Sequence, residues 1–309
     1  MTIPANYSFT RYLSAKKSVD DRALNRYVWE QLASALPSPT RDSPLRVLEA
    51  GAGIGTMVER ALDWELLSFA RYTAIDNQDE NIRVARQRLA GWTRSRGMRV
   101  DVACESLILS DDLRQVNIDF ITTDMLEFIT HPNISNSCDL LVAHAFLDLV
   151  DVSSTLADIL AVLAPGGVFY FSLNFDGLTL LEPTIDPQLD ETIQRLYHIT
   201  MDERRTDGRP SGDSRTGRHL FGHLERVGAQ VLAAGASDWV VHPLGGGYPA
   251  DEAYFLHFII HTINLALAGH PELHGERLMS WTAQRHAQIE RGELVYIAHQ
   301  LDILGKPNA

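Results

Sequence analysis

The chain has 309 residues, 45% hydrophobic and 22% charged, with a formal net charge of −13. That length and apolar content suffice for one large domain with insertions, and the composition is that of an ordinary globular protein. An acidic surface repels phosphate backbones, so a small-molecule partner is expected and nucleic acid is not.

No apolar run reaches the roughly 18 residues of a membrane span, and the first residues lack a basic stretch followed by an apolar one. A cytoplasmic protein without membrane attachment is therefore expected. Cys104 and Cys138 stand alone in apolar, strand-like segments without metal-ligand spacing. They read as buried thiols in a reducing compartment.

Residues 1–43 precede the first strand and are expected to form a helical lid. Tyr7 to Leu13 is aromatic without a regular period. Asp20–Leu36 places Leu24, Tyr27, Val28 and Leu32 near helical spacing, with Asp20 or Asp21 as the cap. Leu45–Glu49 is a buried strand, followed by a glycine turn and a helix over Thr56–Phe69. Tyr72–Asp76 is a second strand and Asp79–Trp92 a second amphipathic helix. Met98–Cys104 alternates as a half-exposed strand that pairs with Ile118–Thr122.

Asp139–Ala143 is continuously apolar, as in a sheet covered on both faces. A helix over Ser154–Leu163 ends at Ala164-Pro-Gly-Gly, and Val168–Leu173 is the next strand. Residues 174–216 are punctuated by prolines and turn polar and glycine-rich, which marks a cap insertion with a helix near Asp190–Glu203. Gly217–Val227 resumes a helix and Gln230–Val241 a strand region. A second cap insertion, 244–291, holds helices over Asp251–Ala268 and Pro271–Glu290. Leu294–Leu304 is a final antiparallel strand. Alternating strands and helices from 45 to 173 predict an α/β, doubly wound, mostly parallel sheet of seven strands under a mostly helical cap, all within one domain over 44–309.

The motifs that bear chemistry lie at the carboxyl ends of these strands, where open α/β sheets bind ligands. Glu49-Ala-Gly51-Ala52-Gly53-Ile-Gly55 lets a turn approach a ligand closely, and the helix behind it presents free N–H groups. The dinucleotide spacing would need glycine where Thr56 stands, which argues against an NAD-dependent dehydrogenase. Asp76 ends the second strand, about twenty residues on, where a carboxylate can take both ribose hydroxyls. Asp124 follows the third strand, an apolar fourth strand ends near His144, and Leu163-Ala-Pro-Gly-Gly precedes the fifth.

In this order the motifs resemble those of the class I S-adenosylmethionine-dependent methyltransferases, closely over about 45–175 and more loosely through Gly217–Gly235. The resemblance implies S-adenosylmethionine as cofactor and a seven-stranded sheet. Glu49 would fix the methionine ammonium. Gly51, Ala52, Gly53 and Gly55 would form the cradle, with Ala143 beside it. Asp76 would bind the ribose, Asp124 and the Met125 N–H the adenine, and Ile75, Asn77 and Met125 would flank the ring.

Methyl transfer from a sulfonium needs alignment and dryness, and a base where the nucleophile carries a proton. His144, with Asp148 four residues on, is the candidate base. Asn174, Tyr7, Tyr12, Tyr248 and His257 are candidate substrate contacts. His257 and His261 lack the intervening Glu of a His-Glu-x-x-His zinc site, so no metal is expected. The predicted reaction is methyl transfer to a small-molecule O or N nucleophile. Methylation of tRNA or protein, or a non-catalytic nucleoside-binding role, are the alternatives, and a homodimer is compatible with the chain.

Overall fold

Hydrophobic cores lie on both faces of one sheet, because strand residues alternate between the two sides. Val47, Leu140, Val142, Val168 and Tyr170 face one core; Leu48, Ala50, Leu141, Ala143, Phe169 and Phe171 face the other. The computed structural model describes residues 3–206 and 208–308. In chain order it runs α1 (Phe9–Ala23), α2 (Arg26–Ala35), β1 (Leu45–Ala50), α3 (Thr56–Asp63), β2 (Phe69–Asp76), α4 (Asp79–Ser95), β3 (Arg99–Val102), β4 (Ser106–Ser110), β5 (Gln115–Thr122), α5 (Met125–Phe128) and β6 (Cys138–His144). A 3-10 turn (Leu147–Leu149) leads into α6 (Val152–Leu160), β7 (Leu163–Glu182), α7 (Pro187–Asp202), the short pair β8 (Arg205–Thr206) and β9 (Arg209–Pro210), and α8 (Thr216–Arg226). Then come β10 (Ala229–Ala236), β11 (Trp239–Val241), α9 (Glu252–Leu267), α10 (Gly275–Glu290) and β12 (Val295–Pro307).

The main sheet is ten-stranded, with path β10-β12-β7-β6-β1-β2-β5-β4-β3 and β11 on β12. Inside it lies the expected doubly wound unit of seven strands, β5-β2-β1-β6-β7-β12-β10, whose antiparallel member β12 sits between β7 and β10. The three further strands correct the predicted count. Two of them form the β3–β4 hairpin, so β4 separates β3 from β5 and Met98–Cys104 does not pair with Ile118–Thr122 directly. Cys104 lies just past β3 and is exposed, against the expectation of two buried thiols; Cys138 is buried.

Two further boundaries differ for local reasons. The single helix predicted over Asp20–Leu36 is two: α1 is capped by Ser8, α2 by Asn25, and Asp20 is buried inside α1. The aromatic stretch around Phe9 therefore begins a helix. Its aromatics pack on α9, with Tyr12 stacked on Phe258 at 4.3 Å, and long-range contact of this kind leaves no local period. The second is β7, which continues 20 residues to Glu182 because β12 pairs with it from Gly305 opposite Phe169 to Val295 opposite Glu182. Residues 174–182 of the predicted insertion are thus strand.

The cap is tied down by charge. The N-terminal part of α1 meets α9 through Arg11–Asp251 at 2.9 Å, and Arg22 and Ser18 both reach the buried Glu252. Asp190 on α7 accepts from Trp281 and Arg285 of α10, each at 2.6 Å. No helix among the described residues is long and apolar enough to cross a membrane.

Candidate active site

At the carboxyl ends of β1, β2, β5 and β6 lies a cavity of about 980 Å³. Its floor is the turn after β1. Gly51 (φ +68°) holds a left-handed backbone, and a Cβ there would stand 2.7 Å from Phe146 Cδ2. Side-chain-free peptide at this point is what keeps the cavity open. Gly55 (φ +79°) acts through packing instead. It does not line the cavity but lets α3 start against Leu89 of α4, 2.8 Å from where a Cβ would be.

Carboxylates ring this floor. Asp76 receives the Gly53 N–H at 2.8 Å, the Gln78 N–H at 2.9 Å and the Asn81 amide at 3.0 Å, which orients it rigidly toward the cavity. Asp124 caps α5 with Oδ1, which accepts from Leu126 and Glu127; Oδ2 has no partner among the described residues. Glu49 is buried, and its Oε2 accepts the Tyr72 hydroxyl at 2.7 Å. Burial pushes the Glu49 carboxyl up to about 8, although the Tyr72 bond and the Arg60 charge oppose that. Such a group is short of a cation.

A second network forms the wall at the end of β6. His144 Nδ1 lies 2.9 Å from Ser172 Oγ and Nε2 lies 3.1 Å from Asp20 Oδ2. Asp20 also takes the Lys16 ammonium at 2.9 Å and the Trp239 indole N–H at 2.9 Å. Burial works to raise the Asp20 carboxyl, but Lys16 and His144 outweigh it and hold it well below the usual carboxylate range. Burial depresses His144 to about 4, so the ring is neutral at pH 7 and its contact with Asp20 is a hydrogen bond between an N–H and a carboxylate. That sets the tautomer: Nε2 donates to Asp20 and Nδ1 accepts from the Ser172 hydroxyl.

Of the residues singled out in the sequence, Glu49, Gly51, Ala52, Gly53, Asp76, Asn77, Asp124, Met125 and His144 line this one cavity. Several others do not. Ala143 faces the core on the other side of the sheet, and Ala145 takes the place expected for it at the cavity wall. Asp148 does not reach the cavity, its Oδ1 is sealed without a partner, and His144 pairs with Asp20 instead. With both ring nitrogens engaged, His144 is not placed as the predicted base.

The predicted substrate contacts also lie elsewhere. Asn174 ties β7 to β12 by donating to Phe171 O and Leu301 O. Tyr248 donates to Leu294 O, and His257 faces His286 at 2.8 Å inside the cap. Tyr7 stacks on His261 at 3.9 Å and Tyr12 on Phe258. Instead α1 brings Phe9, Leu13 and Lys16 to the cavity. The Lys16–Asp20 pair was visible as an i, i+4 spacing, but Lys17–Asp21 beside it has the same spacing and bridges to Arg60 on α3.

The arrangement fits the cofactor that the motifs imply. Glu49, one oxygen of which no protein donor occupies, suits an ammonium. Asp76, fixed at the rim, suits a ribose, and the bare turn suits a backbone-hugging tail. Ile75 and Met125 supply apolar walls for a base.

The chain is similar to known proteins. Among solved structures, an S-adenosylmethionine-dependent methyltransferase from Thiobacillus denitrificans with bound S-adenosylhomocysteine is 14% identical, covers 100% of each chain and superposes with a TM-score of 0.45. A phosphoethanolamine N-methyltransferase from Haemonchus contortus is 15% identical, over 99% of this chain and 61% of that one, with a TM-score of 0.42. No curated protein matches in sequence. A family model described as a methyltransferase domain matches residues 48–169, the stretch that runs from β1 to β7 and carries the glycine turn, Asp76, Asp124 and His144. Residues 48–169 of the chain therefore carry a methyltransferase domain, with S-adenosylmethionine as its methyl donor.

Proposed function

We propose that the enzyme transfers the methyl group to an O or N nucleophile of a small molecule, by in-line displacement, under a lid formed by α1, while α2 of the expected N-terminal lid packs on the sheet instead. The observation that supports this is the cavity itself. It is roofed by Phe9 and Leu13 of α1 and extends past the cofactor floor to Phe146, Leu149, Pro210 and Ser211. Such an enclosure suits a molecule that enters whole, and the net charge of −13 does not favour a polyanion.

When bound, S-adenosylmethionine supplies an electrophilic methyl on a sulfonium that departs as a neutral thioether without an acid. Glu49 holds the ammonium of the tail, and Asp76 orients the sugar. The Gly51–Gly53 turn lets the tail lie on peptide. Phe9, Leu13 and Phe146 give this side of the cavity an apolar wall, and the less water such a wall leaves around the bound cofactor, the stronger each of these electrostatic contacts becomes.

The test is to incubate the protein with methyl-labelled S-adenosylmethionine and separate fractions of deproteinised metabolites, tRNA and protein. Label is expected in the metabolite fraction. Label in tRNA or protein instead would overturn the small-molecule assignment, and tight cofactor binding with no transfer to any fraction would favour a non-catalytic role.

A further inference from the structure

The cofactor's tail carries an ammonium and a carboxylate on one carbon. Glu49 gives the first a partner beside the glycine turn, and the second is best met by a positive charge close by. Among the described residues that line the cavity, Lys16 is the one Lys or Arg. Its side chain is 8% exposed, and its ammonium meets one carboxylate, Asp20 at 2.9 Å. The remaining N–H groups have no protein acceptor among the described residues, which in a buried ammonium is costly unless a ligand supplies one.

Packing places that ammonium over the cofactor turn. Leu13, Lys16 and Asp20 follow one another along one face of α1. Leu13, at one end, rests on the turn: its Cδ1 stands 3.3 Å from where a Cβ on Gly53 would be. Asp20, at the other, reaches His144 at the end of β6. Glu49 of β1 lies opposite Val142 of β6, and His144 is two residues further on, so the Glu49 and His144 side chains leave the same face of the sheet on adjacent strands. Lys16 therefore stands between the turn and His144, on the face that Glu49 occupies. The helix is pinned there by Asp21, 2.7 Å from Arg60 of α3, and by Ser14, 3.0 Å from Arg88 of α4.

Resting on the reading of Glu49 above, we propose that Lys16 binds the carboxylate of the cofactor's methionine tail and selects donors that keep this carboxylate over decarboxylated ones. Asp20 is its positioning partner. One Asp20 oxygen is shared between Lys16 and His144, and the other is fixed by the Trp239 indole N–H. The zwitterionic tail then lies between an acid of the sheet and a base of α1, each end against opposite charge. It also bridges α1 to β1, so a bound cofactor fastens the lid, and a donor without the carboxylate does not.

A pair of ligands tests this without turnover. By calorimetry, S-adenosylhomocysteine should bind about tenfold more tightly than its decarboxylated analogue, which keeps the ammonium. K16M should bring the two to equal affinity by weakening the first alone, and K16R should keep the preference. K16M/D20N, in which no buried carboxylate has lost its cation, should match K16M. E49Q should weaken both ligands, since both carry the ammonium. At saturation, S-adenosylhomocysteine should slow amide exchange in α1 more than the analogue does.

Equal affinities for the two ligands in the unsubstituted protein would overturn the proposal. So would a preference that survives K16M, which would leave Lys16 to the wall or to the acceptor, and so would an equal loss of both ligands in K16M and K16M/D20N alike. With any of these, an effect of E49Q would keep the Glu49 reading in place. Unchanged affinities in E49Q would instead remove that reading, and the proposal with it.

Discussion

The two sides of the cavity are built by different physics. The cofactor side is assembled from neighbours in sequence: a turn, a strand end and a helix start, with Asp76 reaching back to the Gly53 N–H at 2.8 Å. The cap side is assembled from distant segments. Asp20 of α1 meets His144 of β6 and Trp239 of β11, and Glu252 of α9 holds Arg22 and Ser18 of α1. The first side depends on backbone conformation, which tolerates few residue types. The second depends on paired charges and stacked rings, which many residue sets can supply. Substitutions should separate the two, affecting affinity on one side and stability on the other.

The largest effect is expected at Gly51. Gly51→Val places a β-branched residue at φ +68°, with its Cβ in Phe146. Strain and overpacking of about 3 kcal/mol push the turn out of place, and a ligand that needs the turn must restore it, so cofactor affinity should fall by up to roughly a hundredfold by calorimetry. Near wild-type affinity would mean that the turn does not underlie the ligand.

Asp76→Ala removes the carboxylate proposed to take the ribose and leaves the Gly53 and Gln78 N–H groups without their partner. Cofactor binding should weaken by about 1–3 kcal/mol. On the cap side, Glu252→Ala frees Arg22, which is half exposed and can rehydrate. The expected loss is about 2 kcal/mol of stability, or roughly 4 °C in the melting temperature. Cofactor affinity should stay near that of the unsubstituted protein, and a loss as large as that of Asp76→Ala would erase the distinction between the two sides.

Glu49 gives a pH signature. Because its carboxyl is raised to about 8 in the free protein, it is mostly protonated at pH 7, and a bound ammonium must displace that proton. Cofactor affinity should rise by up to about tenfold per pH unit below that value and level off above it. Glu49→Gln should flatten this profile. The same shift means that the folded state keeps a proton the unfolded chain has released, so this group's contribution to stability falls as pH rises from 4.5 to about 8. The smallest effect is expected for Tyr248→Phe, which removes the 2.8 Å bond to Leu294 O. It should cost about 1 kcal/mol of stability and leave turnover unchanged.

The same contrast governs what could be read from residue order alone. The glycine turn, Asp76 and Asp124 are short-range features with a fixed mechanical purpose, and the alternation of apolar runs sufficed to place the strands that bear them. Asp20 had the spacing of a helix cap, yet it is the hub of a wall network whose other members lie 124 and 219 residues away. Nothing local distinguishes a buried hub from an ordinary helix Asp. Tyr248 and His257 were noticed as residue types suited to a pocket, but the apolar surroundings that bury them satisfy structural needs instead. The extension of β7 past Leu173 escaped for a similar reason: its hydrogen-bond partners in β12 lie more than a hundred residues downstream.

The pairing of β7 with β12 also governs how the molecule can breathe. These strands leave the central sheet as one continuous ribbon, with Val295 still opposite Glu182 at the far end and the helices of the cap attached there. A ribbon cross-linked along its length resists bending, so the cap has no free joint at its root. Phe9 of α1, half exposed, lines the cavity together with Pro210 and Ser211, so the movement that admits reactant is expected at α1 rather than at the ribbon. Amide exchange should accordingly be slow along the ribbon and faster at the start of α1.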